Sequence, residues 1–204
     1  MVNGKHNGAY YYSREIVRNI IPNVTTDRNW ITINIPGIGI DHAIVFIHNN
    51  LNIEKYEWLS RYEDLILVCG VPDTVSKVKH LGKAIYLPLS IDVKEVSAYK
   101  QPKEKRQGIA YAGRKGKTVF ADRLPKDIEY IGDTERYKLL EAMATYETIY
   151  AVGRTAIEAR CLGCRVEAYD RRYPNPELWK VIDNKEAAKM LQIQIDRIDK
   201  RGRG

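Results

Sequence analysis

The sequence predicts an α/β fold in which helices cover parallel β-sheets. Short apolar segments rich in β-branched and aromatic residues recur along the chain, and Gly, Pro, Asn or Asp bounds each of them. Amphipathic segments of about ten residues separate most of these apolar segments. Strands that alternate with helices of this length pair in parallel, because each crossover helix returns the chain to the same edge of the sheet.

Eight segments are predicted as strands, four in each half of the chain. They are WITINI (30–35), AIVFIH (43–48), DLILVCG (64–70), AIYLPLS (84–90), GIAYAGR (108–114), DIEYIG (127–132), TIYAVG (148–153) and RVEAYD (165–170). Helical patterns are predicted around and between them, at 13–21, 52–63, 72–82, 133–147, 175–182 and 184–201.

One segment, 93–107, is predicted as a linker because charge rises, a proline intervenes and the apolar alternation lapses. It divides the chain into an N-terminal lobe (1–92) and a C-terminal lobe (108–204) that includes the terminal helices. We therefore predict two small Rossmann-like, doubly wound lobes that face a cleft. One continuous parallel sheet is the alternative.

Composition narrows the class of protein and of partner. The 204 residues are 44% hydrophobic and 29% charged, as in soluble globular proteins. No apolar stretch is long enough to cross a membrane and the N-terminus lacks a signal-peptide core, so a soluble cytoplasmic protein is predicted. The net charge of +7 makes this a basic protein and favours an anionic partner: a nucleotide, nucleic acid or a lipid headgroup.

Three cysteines are present, Cys69, Cys161 and Cys164, and the last two have CxxC spacing. No second such pair and no nearby histidine pair completes a metal tetrad. We predict packed thiols and no metal site.

Three loops are candidate ligand sites, because ligands of open parallel sheets bind beyond the carboxyl ends of the strands. They are AGRKGKT (112–118), IGDTER (131–136) and VGRTAIE (152–158). In the first, Gly113 and the cations Arg114 and Lys117 suit a diphosphate, although the P-loop spacing is absent. A basic surface turn is the alternative.

The loop VGRTAIE combines several features that suit an anionic, hydroxylated ligand. Gly153 permits a sharp turn, and Thr155 can cap the following helix, whose free N–H groups then meet an anion. Arg154 adds a forked cation suited to phosphate. Glu158 lies one turn further on, where its carboxylate can accept two hydrogen bonds from a ribose or sugar diol. A capping box of Thr155 and Glu158 is an alternative compatible with this interpretation.

The first half of the chain offers candidates for a general base. His48 lies at the carboxyl end of a predicted strand and can act as a base or bind a hydroxyl. Asp41 is the second candidate. The alternative for His48 is capping or packing at the strand end.

The second half resembles the nucleotide-sugar-binding lobe of GT-B glycosyltransferases. The segments that carry the resemblance are IAYAGRKGKTV and DIEYIGDTERYKLLEAMATYETIYAVGRTAIEARCLGCRVEAYD, and YLPLSID resembles the segment between the two lobes of that family. The resemblance covers roughly residues 84–170. It implies that Arg114 and Lys117 hold the donor diphosphate and that Glu158 binds the donor ribose or sugar.

The leading hypothesis is a glycosyltransferase-like protein that binds a nucleotide-diphosphate sugar in the cleft between the lobes and transfers the sugar to an acceptor. Cations and helix N-termini would neutralise the departing diphosphate, and no metal or other cofactor is required. Two alternatives stay open. The first is a non-catalytic nucleotide-binding module. The second is a nucleic-acid-associated protein, of which a DNA-modifying sugar transferase is one form.

Overall fold

The computed structural model describes residues 8–32, 41–47, 53–113, 124–173 and 175–202 and confirms the predicted α/β fold. Two four-stranded sheets are present, every strand pair in them is parallel, and helices flank both sheets. Each predicted strand segment overlaps one strand. The architecture is thus two small Rossmann-like lobes rather than one continuous sheet.

The chain divides into two compact units, which we call the first lobe and the second lobe. The first lobe consists of Ser13–Leu89 and Asn184–Gly204, and the second of Ser90–Asp183 with the described part of Met1–Tyr12. These bounds differ from the predicted ones in three respects. The C-terminal helix belongs to the first lobe, the segment predicted as a linker belongs to the second, and so does the described part of Met1–Tyr12.

The N-terminal helix is irregular. The α-helix α1, Gly8–Glu15, continues into a π-helical turn, Ile16–Ile20, and a 3-10 turn, Ile21–Asn23. The sequence predicts a single helix that ends at Pro22. Pro22 instead lies in the first positions of the 3-10 turn, where its missing N–H is tolerated.

The first lobe is built on four parallel strands that follow one another in sequence order. They are β1 Asn29–Ile31, β2 Ala43–Ile47, β3 Leu65–Cys69 and β4 Lys83–Tyr86. Every residue of β2 and β3 is buried. Central strands of a parallel sheet are covered on both faces, which explains why AIVFI and LILVC are apolar without interruption.

Two helical segments cover one face of this sheet. A 3-10 helix, Ile53–Arg61, connects β2 to β3, and α2, Pro72–Val78, connects β3 to β4. Tyr56, Leu59 and Val78 from these helices are buried in one core cluster with residues of β2 and β3. Full burial of such a side chain contributes about 1.5–3 kcal/mol, so this cluster fixes both helices on the sheet.

The C-terminal helix, Asn184–Gly202, belongs to the first lobe because its apolar stripe and its polar groups both have partners there. Its buried residues recur at helical spacing: Ala187, Ala188, Leu191 and Ile195. The Asn184 side chain donates to Oε2 of Glu15 at 2.6 Å, and the Gln192 side chain bonds to both backbone groups of Thr25. These bonds anchor the helix at its start and in its middle.

The second lobe contains a shorter four-stranded parallel sheet. Its strands are β5 Ile109–Tyr111, β6 Glu129–Tyr130, β7 Thr148–Tyr150 and β8 Arg165–Glu167, in the spatial order β6-β5-β7-β8. Its helices are α3 Val93–Ser97, α4 Arg136–Met143 and α5 Arg154–Leu162. Within the described ranges, no helix is long and apolar enough to cross a membrane.

The segment predicted as a linker packs on α5. Ser97 Oγ in α3 lies 3.4 Å from Cys161 Sγ, and Arg106 donates to the carbonyl of Gly163 at the end of α5. Its polar composition reflects a half-exposed helix and turn on the surface of the second lobe, so composition alone does not separate such a segment from a linker.

Candidate functional site

The strand order of the second sheet marks one place where the chain reverses direction across the sheet. The chain runs from β5 outward to β6 and then crosses back to β7 on the other side of β5. In open parallel sheets such a reversal opens a crevice beyond the carboxyl ends of the two central strands, and ligands bind there. The four described strands of the first sheet follow sequence order without a reversal. The candidate site is therefore the carboxyl edge of β5 and β7.

An open glycine turn lies at this edge between β7 and α5. Gly153 has φ 65° and ψ −142°, a region of backbone space essentially confined to glycine. Among the described residues, no atom other than those of its chain neighbours lies within 4 Å of the position that a β-carbon at Gly153 would occupy. Glycine is required here by the backbone conformation, and the described residues leave the space beside it open.

The helix after this turn begins without a side-chain cap. Thr155 was predicted to cap it, but α5 begins at Arg154 and its N-cap is Gly153. The predicted capping box of Thr155 and Glu158 is therefore wrong, because the conformation of Gly153 lets the helix begin before Thr155. The first N–H groups of a helix have no acceptor within the helix, and the helix dipole favours an anion at this end.

Four charged side chains form a chain of ion pairs that joins α3, α4 and α5. Oε1 of Glu158 accepts from Nε of Arg154 at 2.8 Å and from Nε of Arg136 at 3.1 Å. Nη1 of Arg136 also donates to Oε1 of Glu95 at 2.5 Å. The side chains of Glu158, Arg154 and Arg136 are 4%, 8% and 12% exposed, whereas Glu95 is 48% exposed. This ion-pair chain is buried at α5 and reaches solvent at α3.

The structure brings the predicted residues Arg154 and Glu158 together and pairs them with each other. A ligand phosphate at Arg154 or a ribose hydroxyl at Glu158 would share these groups with the ion-pair chain. Arg136 is not among the residues predicted from the sequence, although it ends the candidate loop IGDTER. An arginine in the first turn of a helix has no local pattern that distinguishes it from a solvated charge.

Gly113, the other predicted turn glycine, has its space filled by an aromatic side chain. It lies two residues after β5, and a β-carbon there would overlap the phenol of Tyr111. The Tyr111 ring meets Tyr169 edge-on at 4.8 Å and Tyr130 at 5.7 Å between centroids. Burial raises the pKa of Tyr111 to about 12. The buried rings of Tyr111 and Tyr169 therefore pack beside β5 at this edge, and the Tyr111 phenol stays protonated at neutral pH.

Three predicted site residues lie outside the described part of the chain. Arg114 and Lys117 belong to the loop that follows Gly113, and His48 directly follows β2 in sequence. Their roles stay predictions.

Asp41, the second candidate base, lies at the amino end of β2. Its Oδ1 accepts a hydrogen bond from the backbone N–H of Glu63 at 2.9 Å. Ligands of parallel sheets bind at the carboxyl edge, which is the opposite end of the strand. Asp41 thus stabilises the turn before β3 and lies outside the candidate site.

A charged cluster that is not predicted from the sequence lies at this amino edge. The two ring nitrogens of His42 lie 2.7 Å from Asp64 Oδ2 and 3.2 Å from Asp27 Oδ1. Arg28 and Lys83 also pair with Asp64. The hydrogen bonds to Asp64 and Asp27 raise the pKa of His42. Although burial opposes it, hydrogen bonds from Arg28, His42 and Lys83 hold the pKa of Asp64 far below its usual range.

We expect the stability of the first lobe to decline as pH rises above about 6.5, the ordinary pKa of histidine. A raised pKa in the folded state means that protonated His42 stabilises the fold at low pH and that this contribution is lost as pH rises through the folded-state value. Asp64, whose pKa is lowered, stays ionised throughout this window. Urea midpoints measured between about pH 6 and pH 9 test this.

Two histidine variants provide the comparison for the pH series. His42→Gln should flatten the decline. His80→Gln removes a histidine that pairs with a single carboxylate, that of Glu57. This variant should show the same decline of stability with pH as the wild type. An unchanged pH dependence in His42→Gln would contradict the assignment.

The cysteine pair lies at the end of α5, where Cys164 is packed as predicted and Cys161 is half-buried. Cys164 is buried, its Sγ lies 3.3 Å from the carbonyl oxygen of Met143, and burial raises its pKa to about 11. A thiol with a raised pKa is a poor nucleophile. In the part of the chain that the structure describes, no group of three or more His, Cys, Asp or Glu residues is arranged to hold a metal ion.

The fold defines a class of protein: a two-lobed α/β protein whose second lobe has a strand-order reversal, where the candidate site lies. The chain matches no protein-family model, no curated protein and no solved structure. Its function is therefore inferred from its own residues.

Proposed function

We propose that the carboxyl edge of β5 and β7 binds the diphosphate of a nucleotide-diphosphate sugar. The observation that carries this proposal is the strand-order reversal at this edge, opened by the glycine turn at Gly153. An uncapped helix N-terminus beside an open turn offers backbone N–H groups to phosphate oxygens. The adjacent guanidinium of Arg154 and the net charge of +7 favour the same class of ligand.

The surrounding side chains have distinct roles in this proposal. Arg114 and Lys117, predicted from the sequence, supply the further cations that a diphosphate needs. Oε1 of Glu158 accepts a hydrogen bond from Arg154 and thereby orients its guanidinium group. Oε2 of Glu158 would accept a hydrogen bond from a hydroxyl of the ribose or sugar. The buried rings of Tyr111 and Tyr169 pack against each other at the same edge.

The second step of the proposal is transfer of the sugar to an acceptor hydroxyl. The resemblance of residues 84–170 to GT-B glycosyltransferases supports it. The acceptor oxygen would attack the anomeric carbon, the bond from that carbon to the diphosphate would break, and a general base would take the acceptor proton, the role for which the sequence offers His48. Positioning of the donor and neutralisation of the departing diphosphate supply the catalysis.

A thermal-shift screen against nucleotides and nucleotide sugars tests the binding step. A ligand at a hundred times its dissociation constant adds about 2.7 kcal/mol of stability, so we expect a clear rise in Tm with a uridine or guanosine diphosphate sugar. The matching nucleosides lack the phosphates and should give no shift. A screen in which no diphosphate ligand raises Tm would contradict the proposal.

The same screen separates the alternative functions. Tight binding without transfer or hydrolysis across an acceptor panel would indicate a nucleotide-binding module. Stabilisation by DNA or RNA that falls steeply with salt, without a nucleotide effect, would indicate the nucleic-acid alternative.

A further inference from the structure

Arg136 is the member of the ion-pair chain that joins a buried carboxylate to an exposed one. Its Nε donates to Glu158, which is 4% exposed, and its Nη1 donates to Glu95, which is 48% exposed. The two bonds therefore differ in what breaking them would cost. Separation from Glu95 returns that carboxylate to water, whereas separation from Glu158 would leave a carboxylate buried.

The position of Arg136 in the fold puts it at the edge where the ligand is proposed to bind. It is the first residue of α4, which follows β6, just as Arg154 is the first residue of α5, which follows β7. Helices that follow parallel strands of one sheet begin at the same edge of that sheet, and β6 and β7 lie on either side of β5. The bond from each arginine to Oε1 of Glu158 brings the two guanidinium groups together.

The carboxylate of Glu95 accepts the hydrogen bond from Arg136 that a phosphate oxygen of a ligand would accept in its place. A guanidinium fork recognises carboxylate and phosphate oxygens with the same geometry. The place of Glu95 is fixed by its backbone, because its N–H donates to Oδ1 of Asp92, the N-cap of α3, at 2.8 Å. A half-exposed carboxylate held against a largely buried arginine is an internal anion that an incoming phosphate can replace.

We propose that Arg136 is an additional ligand-binding residue and that a phosphate group of the nucleotide diphosphate displaces Glu95 from it. This inference rests on the proposed function, since it concerns the same site and the same class of ligand. Ligand binding and the Arg136–Glu95 bond exclude each other, so Glu95 lowers the apparent affinity of the site for phosphate groups. Glu158 stays paired with both arginines throughout.

Titration calorimetry with uridine diphosphate, guanosine diphosphate and inorganic pyrophosphate tests the inference on the full chain. Glu95→Gln keeps the backbone cap of α3 and removes the competing charge, so it should tighten binding about three- to fivefold, the effect expected for an exposed ion pair. Arg136→Gln should weaken binding. Circular dichroism checks the fold of each variant, and the Glu95→Gln result decides the inference if Arg136→Gln does not fold.

Glu177→Gln is the matched control. Glu177 is an exposed glutamate that pairs with Arg160, in the last turn of α5, at 2.8 Å, so its replacement makes the same change of charge away from the proposed edge. Its affinity for the same probes should equal that of the wild type. Equal affinity of the wild type and Glu95→Gln, or an equal gain in Glu177→Gln, would overturn the role of Glu95 and leave the proposed function standing. Absence of binding in both the wild type and Glu95→Gln would overturn both.

Discussion

Replacement of Glu158 by alanine should lower the free energy of unfolding by about 3–5 kcal/mol. Its carboxylate is almost fully buried and accepts hydrogen bonds from Arg154 and Arg136, both of which are largely buried as well. Removal of the carboxylate leaves two guanidinium groups without their shared anion, and breaking a buried ion pair from one side has this large effect. From the sequence, Glu158 is a ligand residue whose loss should hardly affect stability.

Urea denaturation of Glu158→Ala and Glu177→Ala measures this difference. Glu177 is an exposed glutamate paired with an arginine of α5, so its removal should leave the unfolding midpoint nearly unchanged. If Glu158→Ala proved as stable as Glu177→Ala, the buried ion-pair chain would not exist in solution. A loss of nucleotide binding in Glu158→Ala is not by itself proof of direct contact, since the same variant loosens Arg154.

Replacement of Arg28 by alanine should lower the free energy of unfolding by about 3 kcal/mol, the lower end of the range for buried ion pairs. The Arg28 side chain is 4% exposed and bonds to both the carboxylate and the backbone carbonyl of Asp64. It also bonds to Asp199, near the end of the C-terminal helix, at 2.8 Å. Asp64 and Asp199 retain access to water, which moderates the loss.

The Arg28 variant should also loosen the end of the C-terminal helix. Hydrogen exchange in that helix, followed together with urea denaturation, measures this local effect. Arg61→Ala, which removes an exposed arginine from the same lobe, is the control and should change neither quantity. Unchanged exchange in Arg28→Ala would show that Asp199 does not hold the helix.

The strands could be predicted from the sequence because strands that are buried on both faces consist of uninterrupted apolar residues. AIVFI and LILVC lie at the centre of a covered parallel sheet, and such strands leave no polar face. The glycine turn after β7 could be predicted for a similar local reason, because only glycine adopts the conformation of Gly153.

Features that depend on which elements meet in space could not be predicted. The apolar stripe of the C-terminal helix indicates that it covers a core but not which lobe provides that core. The ion-pair chain joins Glu95, Arg136 and Glu158 from three helices that are distant in sequence. The hydrogen bond from the backbone N–H of Glu63 to Asp41 was not predictable for the same reason, although the place of Asp41 before the predicted strand 43–48 already put it at the amino end of that strand.

Binding of the diphosphate ligand by Gly153→Ala and Gly108→Ala tests the central claim most directly. Both glycines have a positive φ, 65° and 72°, and at both the described residues leave open space for a β-carbon. Both substitutions should therefore cost about 1–3 kcal/mol of stability through the same backbone strain. They differ in position, because Gly153 follows β7 at the carboxyl edge and Gly108 precedes β5 at the amino edge of the same sheet.

Calorimetric titration of the two variants then distinguishes a loss of affinity caused by a change at the binding site from one caused by backbone strain alone. The account predicts that Gly108→Ala binds the ligand as tightly as the wild type, and that Gly153→Ala binds it at least about tenfold more weakly, a loss of about 1.4 kcal/mol. Equal affinities in the two variants would contradict a binding site at the carboxyl edge of β5 and β7.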